Sequence, residues 1–335
     1  MCKSFKILPL LLVASLTACN SVTEKKGVGY YFYTELSYSV YAKNDSVINK
    51  IKQICQEIDN FSDSYQKRST SNIYDINQTN EKIEISEDLY ELLERADVAR
   101  EDALNFNPLI GSLSDKWKES LGKETPEVLS ETVIQEELAK INTSSYELSF
   151  ERDAAGKNKN YVQRKGEATL DLGGITKGFA LDRIYDILKS NKVTDYIINC
   201  GSSSIMLGTN GHTKSWNGQV TTYYKVSLRD VPNTYFKAQD CVISSSGNDI
   251  QGVKIGDTMY SHIINPKTGS AVMKNDAVIV ILNPSIGYLG DALSTSMMMN
   301  TVDEIKQIEI ATNAKTIVVK DGEIVYRNPG IEFFN

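Results

Sequence analysis

Three short stretches carry residue types and spacings suited to chemistry. The first is Asp171-Leu172-Gly173-Gly174-Ile175-Thr176-Lys177-Gly178-Phe179-Ala180-Leu181-Asp182-Arg183. A carboxylate closes a strand, two glycines follow, and a helix opens with Lys177 in its first turn. Glycines let a backbone approach a ligand closely, and the free N–H groups of a first helical turn suit a phosphate. A lysine at that place opposes the helix dipole, so local stability does not account for it. Taken alone, the pattern also fits a tight turn with a surface lysine, and neither GxxxxGKS/T nor GxGxxG occurs in the chain.

The second stretch is Tyr260-Ser261-His262-Ile263-Ile264-Asn265-Pro266-Lys267-Thr268-Gly269, in which Asn-Pro-Lys-Thr-Gly is turn chemistry. His262 is one of two histidines, the other being His212. A histidine beside a turn is often structural, but scarcity and a polar, sharply turning setting mark this one. The third stretch is Gly290-Asp291-Ala292-Leu293-Ser294-Thr295. Asp291 and Thr295 stand at i and i+4 of a helix expected over 287–300, so their oxygens share a face. They suit a hard cation such as Mg²⁺, with backbone carbonyls and substrate phosphates completing its shell. Alone, the pair also fits ordinary helix-surface polarity. Leu293 and Met297 to Met299 make the helix apolar and buried, however, and a buried aspartate needs a partner.

These stretches need a folded frame. The chain has 335 residues, 36 Lys+Arg against 43 Asp+Glu, a net charge of −7 and 41% hydrophobic residues, which is a globular composition. The acidic balance excludes a general nucleic-acid binder. Without a CxxC pair or HExxH, the sequence does not read as a zinc enzyme. Periodicity predicts a strand over 27–41, a helix over 45–61, a polar loop over 62–83 and a helix from Ser86 with Leu89, Leu92, Leu93, Ala96 and Ala99 on one face. A loop with a short helix follows over 105–118, then a helix within 126–141 and strand pieces at 146–151 and 160–172. The helix 175–189 precedes strands at 195–199, 204–207, 223–229 and 236–244. Strand 277–282, helices 287–300 and 302–311 and strand 315–319 complete the chain. With no internal repeat and no Pro/Gly/Ser linker, this is one α+β (mixed α/β) domain over 28–335, with mixed sheets flanked by helices.

The N-terminus reads as an address. Lys3 and Lys6 precede an apolar stretch, Ile7 to Leu16, too short to span a bilayer comfortably. Leu16-Thr17-Ala18-Cys19 resembles a bacterial lipoprotein signal, the alternative being an ordinary secretory signal with a chance cysteine. The expectation is a signal peptide over 1–18, lipidation of Cys19, a tether over 19–27, and an extracytoplasmic, membrane-anchored protein (periplasmic side if Gram-negative). Of the remaining cysteines, Cys55 lies on an apolar helical face and reads as a buried thiol. A Cys200–Cys241 bridge stays open.

Together with Asn105-Phe106-Asn107-Pro108-Leu109-Ile110-Gly111-Ser112-Leu113 and Trp117, the order of these motifs resembles the ApbE family of FAD:protein FMN transferases over most of the chain. The resemblance implies that FAD is bound with Mg²⁺ and that its FMN half is moved, as a phosphoester, onto a Thr or Ser of an extracytoplasmic redox protein, releasing AMP. It implies Asp291, Thr295 and the Gly174 carbonyl as metal ligands, and Asp171 and Lys177 as FAD contacts. Asn105, Phe106, Asn107 and the backbone near Ile264 match flavin contacts, Tyr65 a flavin-stacking ring, and His262 the base for the acceptor hydroxyl. The chain departs from the family pattern at Tyr33-Thr34-Glu35 (usually Met-Gly-Thr), Asn107 (usually Asp) and Asn265 (usually Asp), and its loop 62–77 is longer. Two other readings share the motifs: an FAD pyrophosphatase releasing FMN and AMP, and a non-catalytic FAD-binding lipoprotein.

Overall fold

The computed structural model describes residues 21–154, 156–211, 222–248 and 252–334. The predicted signal peptide, Cys19 and His212 lie outside these described residues. The aromatic N-terminal run is two strands rather than one: β1 (Thr23–Tyr31) and β2 (Thr34–Ala42) pair antiparallel. Phe32 and Tyr33 form the turn, both in the left-handed region with φ of 54° and 59°. Two-residue hairpin turns of this hand usually carry Asn or Gly, and without them the periodicity runs on as one strand. β1 also takes in residues 23–27, which the sequence reading placed in the tether.

Helix α1 (Ser46–Ser62) buries Val47, Ile48, Ile51, Cys55, Ile58 and Phe61, as its spacing requires. The stretch read as a polar loop holds α2 (Ile73–Asn77) and β3 (Lys82–Ile85), both too short for a periodic signal. Ser86 caps α3 (Glu87–Asp102) by accepting from the Leu89 N–H at 3.2 Å. A single 3-10 turn at Pro108–Ile110 leads into α4 (Gly111–Leu121), a full helix where a short one was expected. Next come α5 (Glu131–Thr143), β4 (Ser145–Arg152), β5 (Asn158–Lys165) and α6 (Thr176–Ser190). Strand β5 ends at Lys165, so residues 166–172 are irregular rather than strand.

The second half runs β6 (Tyr196–Cys200), β7 (Ser204–Leu207), β8 (Tyr224–Ser227), β9 (Tyr235–Ala238) and β10 (Cys241–Gly247). The strand expected over 236–244 is split at Asp240, whose φ is 45°. Strands β11 (Val253–Ile255) and β12 (Thr258–Tyr260) form a hairpin. Then follow β13 (Ala277–Leu282), α7 (Gly287–Met297), α8 (Val302–Thr312), β14 (Lys315–Lys320) and an unforeseen β15 (Glu323–Arg327).

An eight-stranded sheet, ordered β1-β2-β6-β7-β10-β13-β14-β15, carries the molecule, beside a three-stranded β3-β5-β4 sheet. The α+β expectation holds, but each of these pairings is antiparallel, so the sheets are not of mixed direction. Strand alternation divides the apolar residues between two cores. Val242, Val278, Val280 and Val318 face the helices, with α7 lying on β10 and β13 and α6 packed against α7 and α1. Ile243, Ile279, Ile317 and Val319 face a smaller core that includes Phe236 and Ile331.

That division decides the cysteines. Cys200 belongs to the helix-side core and Cys241 to the other, so the Cys200–Cys241 bridge is not formed; both are free, as is Cys55. Burial pushes the Cys200 and Cys241 thiols up to about 12. Among the described residues no helix is long and apolar enough to cross a membrane.

Trp117 of α4 pins the stretch that carries His262. Its Nε1–H donates to the Gly269 carbonyl at 2.9 Å, and its ring stacks on Tyr260 with centroids 5.8 Å apart. Replacing Trp117 with Phe keeps a ring but orphans that carbonyl, so Trp117→Phe is expected to cost about 1–3 kcal/mol of unfolding free energy in urea titrations followed by circular dichroism.

Candidate functional site

All of the sequence-predicted site residues that the structure describes converge on one cleft of about 710 Å³: Tyr65, Asn105, Phe106, Asn107, Asp171, Gly174, Lys177, His262, Ile264, Asp291 and Thr295. The predicted lipidation residue, Cys19, is outside the described residues. The cleft opens where the β1–β2 turn, the first turn of α6, the ends of β6 and β10 and one face of α7 meet.

Asp291 is 6% exposed, and among the described residues it is met by hydrogen-bond donors rather than by a lysine or arginine ion pair. Its Oδ2 accepts the Gly178 N–H at 2.7 Å; its Oδ1 accepts the hydroxyls of Ser204 at 2.8 Å and Ser244 at 2.7 Å. One turn along, Thr295 Oγ1 lies 3.4 Å from Ser246 Oγ, which is 3.0 Å from Ser294 Oγ. Asp291, Thr295 and the neighbouring serine hydroxyls make an oxygen-only donor set around one carboxylate, which is the chemistry of a hard cation. Among the described residues no cluster of three or more His, Cys, Asp or Glu suits a metal. The serines escaped sequence reading, although Ser202-Ser203-Ser204 and Ser244-Ser245-Ser246, at strand ends in apolar surroundings, were the available signal.

Asp171 makes the glycine turn itself: its Oδ1 accepts the Gly173 N–H at 2.8 Å. A Cβ at Gly174 would stand 3.2 Å from the Phe106 ring, so the bare backbone there lets the ring close one wall. Asn105 and Asn107 line the cleft, but their amides hold its frame. Asn105 Nδ2–H donates to Asn300 Oδ1 at 3.2 Å, and Asn107 Oδ1 accepts from the Leu109 N–H at 3.0 Å to cap the 3-10 turn. Asn265 Oδ1 likewise accepts from the Lys267 and Thr268 N–H groups, at 2.9 and 3.3 Å, so the turn after His262 forms without an aspartate.

The loop bearing Tyr65 is organised by buried Asp63. That carboxylate accepts from the Tyr65 and Gln66 N–H groups at 2.8 and 3.0 Å, from Arg68 Nε at 2.8 Å and from the Tyr33 hydroxyl at 3.1 Å. Burial alone would raise its pKa, but these donors outweigh burial and hold it below the usual carboxylate range. Tyr33, where a glycine-containing segment was expected, meets Tyr65 edge-on with centroids 5.9 Å apart. Asp63 had no sequence signal, and Tyr33 was marked only as part of the Tyr33-Thr34-Glu35 segment.

Two lysines face the cleft. Lys177 forms no ion pair among the described residues. Lys118, beside Trp117 but unmarked in the sequence, donates to the Tyr65 hydroxyl, sits 5.1 Å over that ring and lies 3.7 Å from Asp171 Oδ2. Burial alone would lower its ammonium, and Asp171, Tyr65 and Asp115 more than offset this. His262 stands on the same wall, its imidazole pushed down to about 4 by desolvation first, then by Lys177 and Lys118. It is therefore neutral at pH 7, the form that accepts a proton. With two histidines in the chain, ¹H NMR titration can follow each: the resonance lost in His262→Gln is expected to titrate near 4, and Lys118→Met to move that midpoint upward.

The chain is similar to known proteins over most of its length. The chain is 25% identical over 328 residues to the FAD:protein FMN transferase of Haemophilus influenzae, spanning 91% of this chain and 88% of that one. A second FAD:protein FMN transferase, from Chlamydia pneumoniae, is 24% identical over 301 residues, 88% of this chain and 90% of that one. Among solved structures, the ApbE protein of Thermotoga maritima superposes with a TM-score of 0.72 at 20% identity over 92% of this chain and 97% of that one. The flavin transferase ApbE of Vibrio cholerae gives 0.69 at 19% identity, over 93% and 97%. The ApbE family profile matches residues 32–317, and the chain belongs to the ApbE family.

Proposed function

We propose that this protein is an FAD:protein FMN transferase that moves the FMN half of FAD onto a Ser or Thr hydroxyl of an acceptor protein and releases AMP. The observation that carries this reading is the convergence of a buried carboxylate with a half-buried threonine hydroxyl, two ammonium groups and a neutral imidazole on one cleft with aromatic walls. The aromatic rings of Tyr65 and Phe106 would flank the isoalloxazine. Lys177 and Lys118 put positive charge where a pyrophosphate would lie, stabilising charge that builds up as the bridge breaks. A divalent cation, Mg²⁺ in this reading, would be held by Asp291, Thr295 and the Gly174 carbonyl, and would supply further neutralisation of the phosphates.

In the transfer step, His262 takes the proton of the acceptor hydroxyl as its oxygen bonds to the FMN phosphorus. The pyrophosphate P–O bond breaks, and the departing AMP keeps the electron pair. A hydroxyl is a weak nucleophile at neutral pH, and a positioned base contributes about 10²–10⁴-fold. Under the same reading the signal over 1–18 is removed, Cys19 is lipidated, and the domain works outside the cytoplasm on redox proteins at a membrane. The tether is then very short, because β1 already begins at Thr23.

The test uses the soluble form lacking residues 1–19, with FAD, Mg²⁺ and a small acceptor domain bearing a Ser/Thr site. Flavin fluorescence on the denatured acceptor band is expected with the wild type, none with Asp291→Asn, and a rate lower by about 10²–10⁴-fold with His262→Gln. Free FMN and AMP without labelled acceptor would replace transfer with FAD hydrolysis. Bound FAD with no turnover on several acceptors would make the protein a flavin carrier.

A further inference from the structure

Helices α6 and α7 both begin without a cap of their own. Their N-cap residues, Ile175 and Ile286, offer no side-chain hydrogen bond to the first-turn N–H groups. Each is instead capped by an aspartate of the other. Asp291 of α7 accepts the Gly178 N–H in the first turn of α6 at 2.7 Å. Asp182 of α6 accepts the first two N–H groups of α7: that of Gly287 at Oδ1, and that of Tyr288 at Oδ2, 3.1 Å away. Between the two caps the backbones touch. A Cβ at Gly178 would overlap the Gly287 carbonyl, and one at Gly287 would lie 2.7 Å from the Gly178 carbonyl.

We propose that Asp182, which lies near the end of the Asp171–Arg183 motif and does not line the cleft, is a positioning residue for the cation site, holding α7 in the register that presents Asp291 and Thr295. The inference rests on the reading of those two residues as cation ligands. The link is short. Asp291 lies one helical turn beyond Gly287, and its backbone N–H bonds to the Gly287 carbonyl in a regular helix. An unanchored first turn therefore shifts the carboxylate itself. Both Asp182 oxygens are taken up by N–H groups that a helix leaves without partners in its first turn. Arg95, whose guanidinium lies 5.3 Å over the Tyr288 ring, packs on the same end of α7.

The experiment compares wild type, Asp182→Asn and Asp182→Ala in the FAD-loaded protein. Mn²⁺ binding is read from loss of the free-ion EPR signal, alongside the Mg²⁺ dependence of FMN transfer. Loss of a group that orients a ligand commonly weakens metal binding by about 10–100-fold. Asp182→Ala is expected in that range and Asp182→Asn, which keeps one acceptor oxygen, below it, with most of the rate restored at saturating Mg²⁺. A residue that merely stabilises the fold would lower the amount of active protein and leave the half-saturating Mg²⁺ unchanged. Folded variants that bind Mn²⁺ as the wild type does would overturn the proposal. Should neither variant fold, hydrogen–deuterium exchange of the wild type decides: Mn²⁺ is expected to slow exchange at Gly287 and Tyr288, and no change there would overturn it. A wild type that neither binds Mn²⁺ nor needs a divalent ion would instead refute the cation site.

Discussion

The crossing of α6 and α7 is the constraint on which the cleft depends. Two aspartates come close to each other in a poorly solvated place, and burial together with the Asp291 charge pushes the Asp182 carboxyl up to about 7. What makes the arrangement tolerable is that each carboxylate meets the N-terminus of the opposite helix, whose free N–H groups are charge-assisted donors. Only glycines at 178 and 287 allow the helices near enough for both bonds at once. The sheet then reinforces the crossing, because Ser204 of β7 and Ser244 of β10 donate to the same Asp291 oxygen from below. The Asp291 carboxylate is thus a structural keystone for two helices and two strands.

Around that centre, amides hold a cap and a turn. Asn107 and Asn265 make the same cap and turn bonds that a carboxylate would make, through Oδ1. The loops keep their shape, and Asn107 lines the cleft as a neutral amide beside Lys118 and Lys177. Coulomb interactions are stronger at such partly desolvated sites than in open water. A neutral side chain at 107 thus adds no negative charge to a cleft that carries both lysines. Tyr33 works in the same compensating sense: with no glycine in the turn, the hairpin contributes a ring that packs on Tyr65 and a hydroxyl that binds Asp63.

What could be read from the sequence was what repeats or what is rare. Long amphipathic helices such as α1, α3 and α6 announced themselves by spacing, and the glycine pair, the histidine and the Asp291–Thr295 step by type. All of the candidate site residues within the described chain reached one cleft. Structure set by geometry rather than period stayed hidden. The hairpin turn at Phe32-Tyr33 has no turn-forming residue, β9 and β10 are divided by one left-handed aspartate, and α2 and β3 are too short to show a period. The second lysine, Asp63 and the serines are ordinary surface types until the fold brings them inside. The unformed Cys200–Cys241 bridge is similar in kind, since nothing in the spacing says which face of the sheet each thiol will take.

The sheet order bears on how the chain comes to fold. Strand β2 pairs with β6, setting Leu36 opposite Cys200 and Val40 opposite Tyr196, so the N-terminal hairpin finds its neighbour only after a loop of nearly half the chain has closed. Closing such loops sacrifices entropy before contacts reward it, and topologies rich in distant pairings fold slowly. Until then the hairpin has two bare edges, each able to pair with any extended chain nearby. During synthesis the molecule thus passes through a long interval in which its first strands exist without their sheet, and protection by a chaperone or by fast dilution matters most then. The catalytic wall assembles at the end of that interval, because α7 emerges last of the elements that line it.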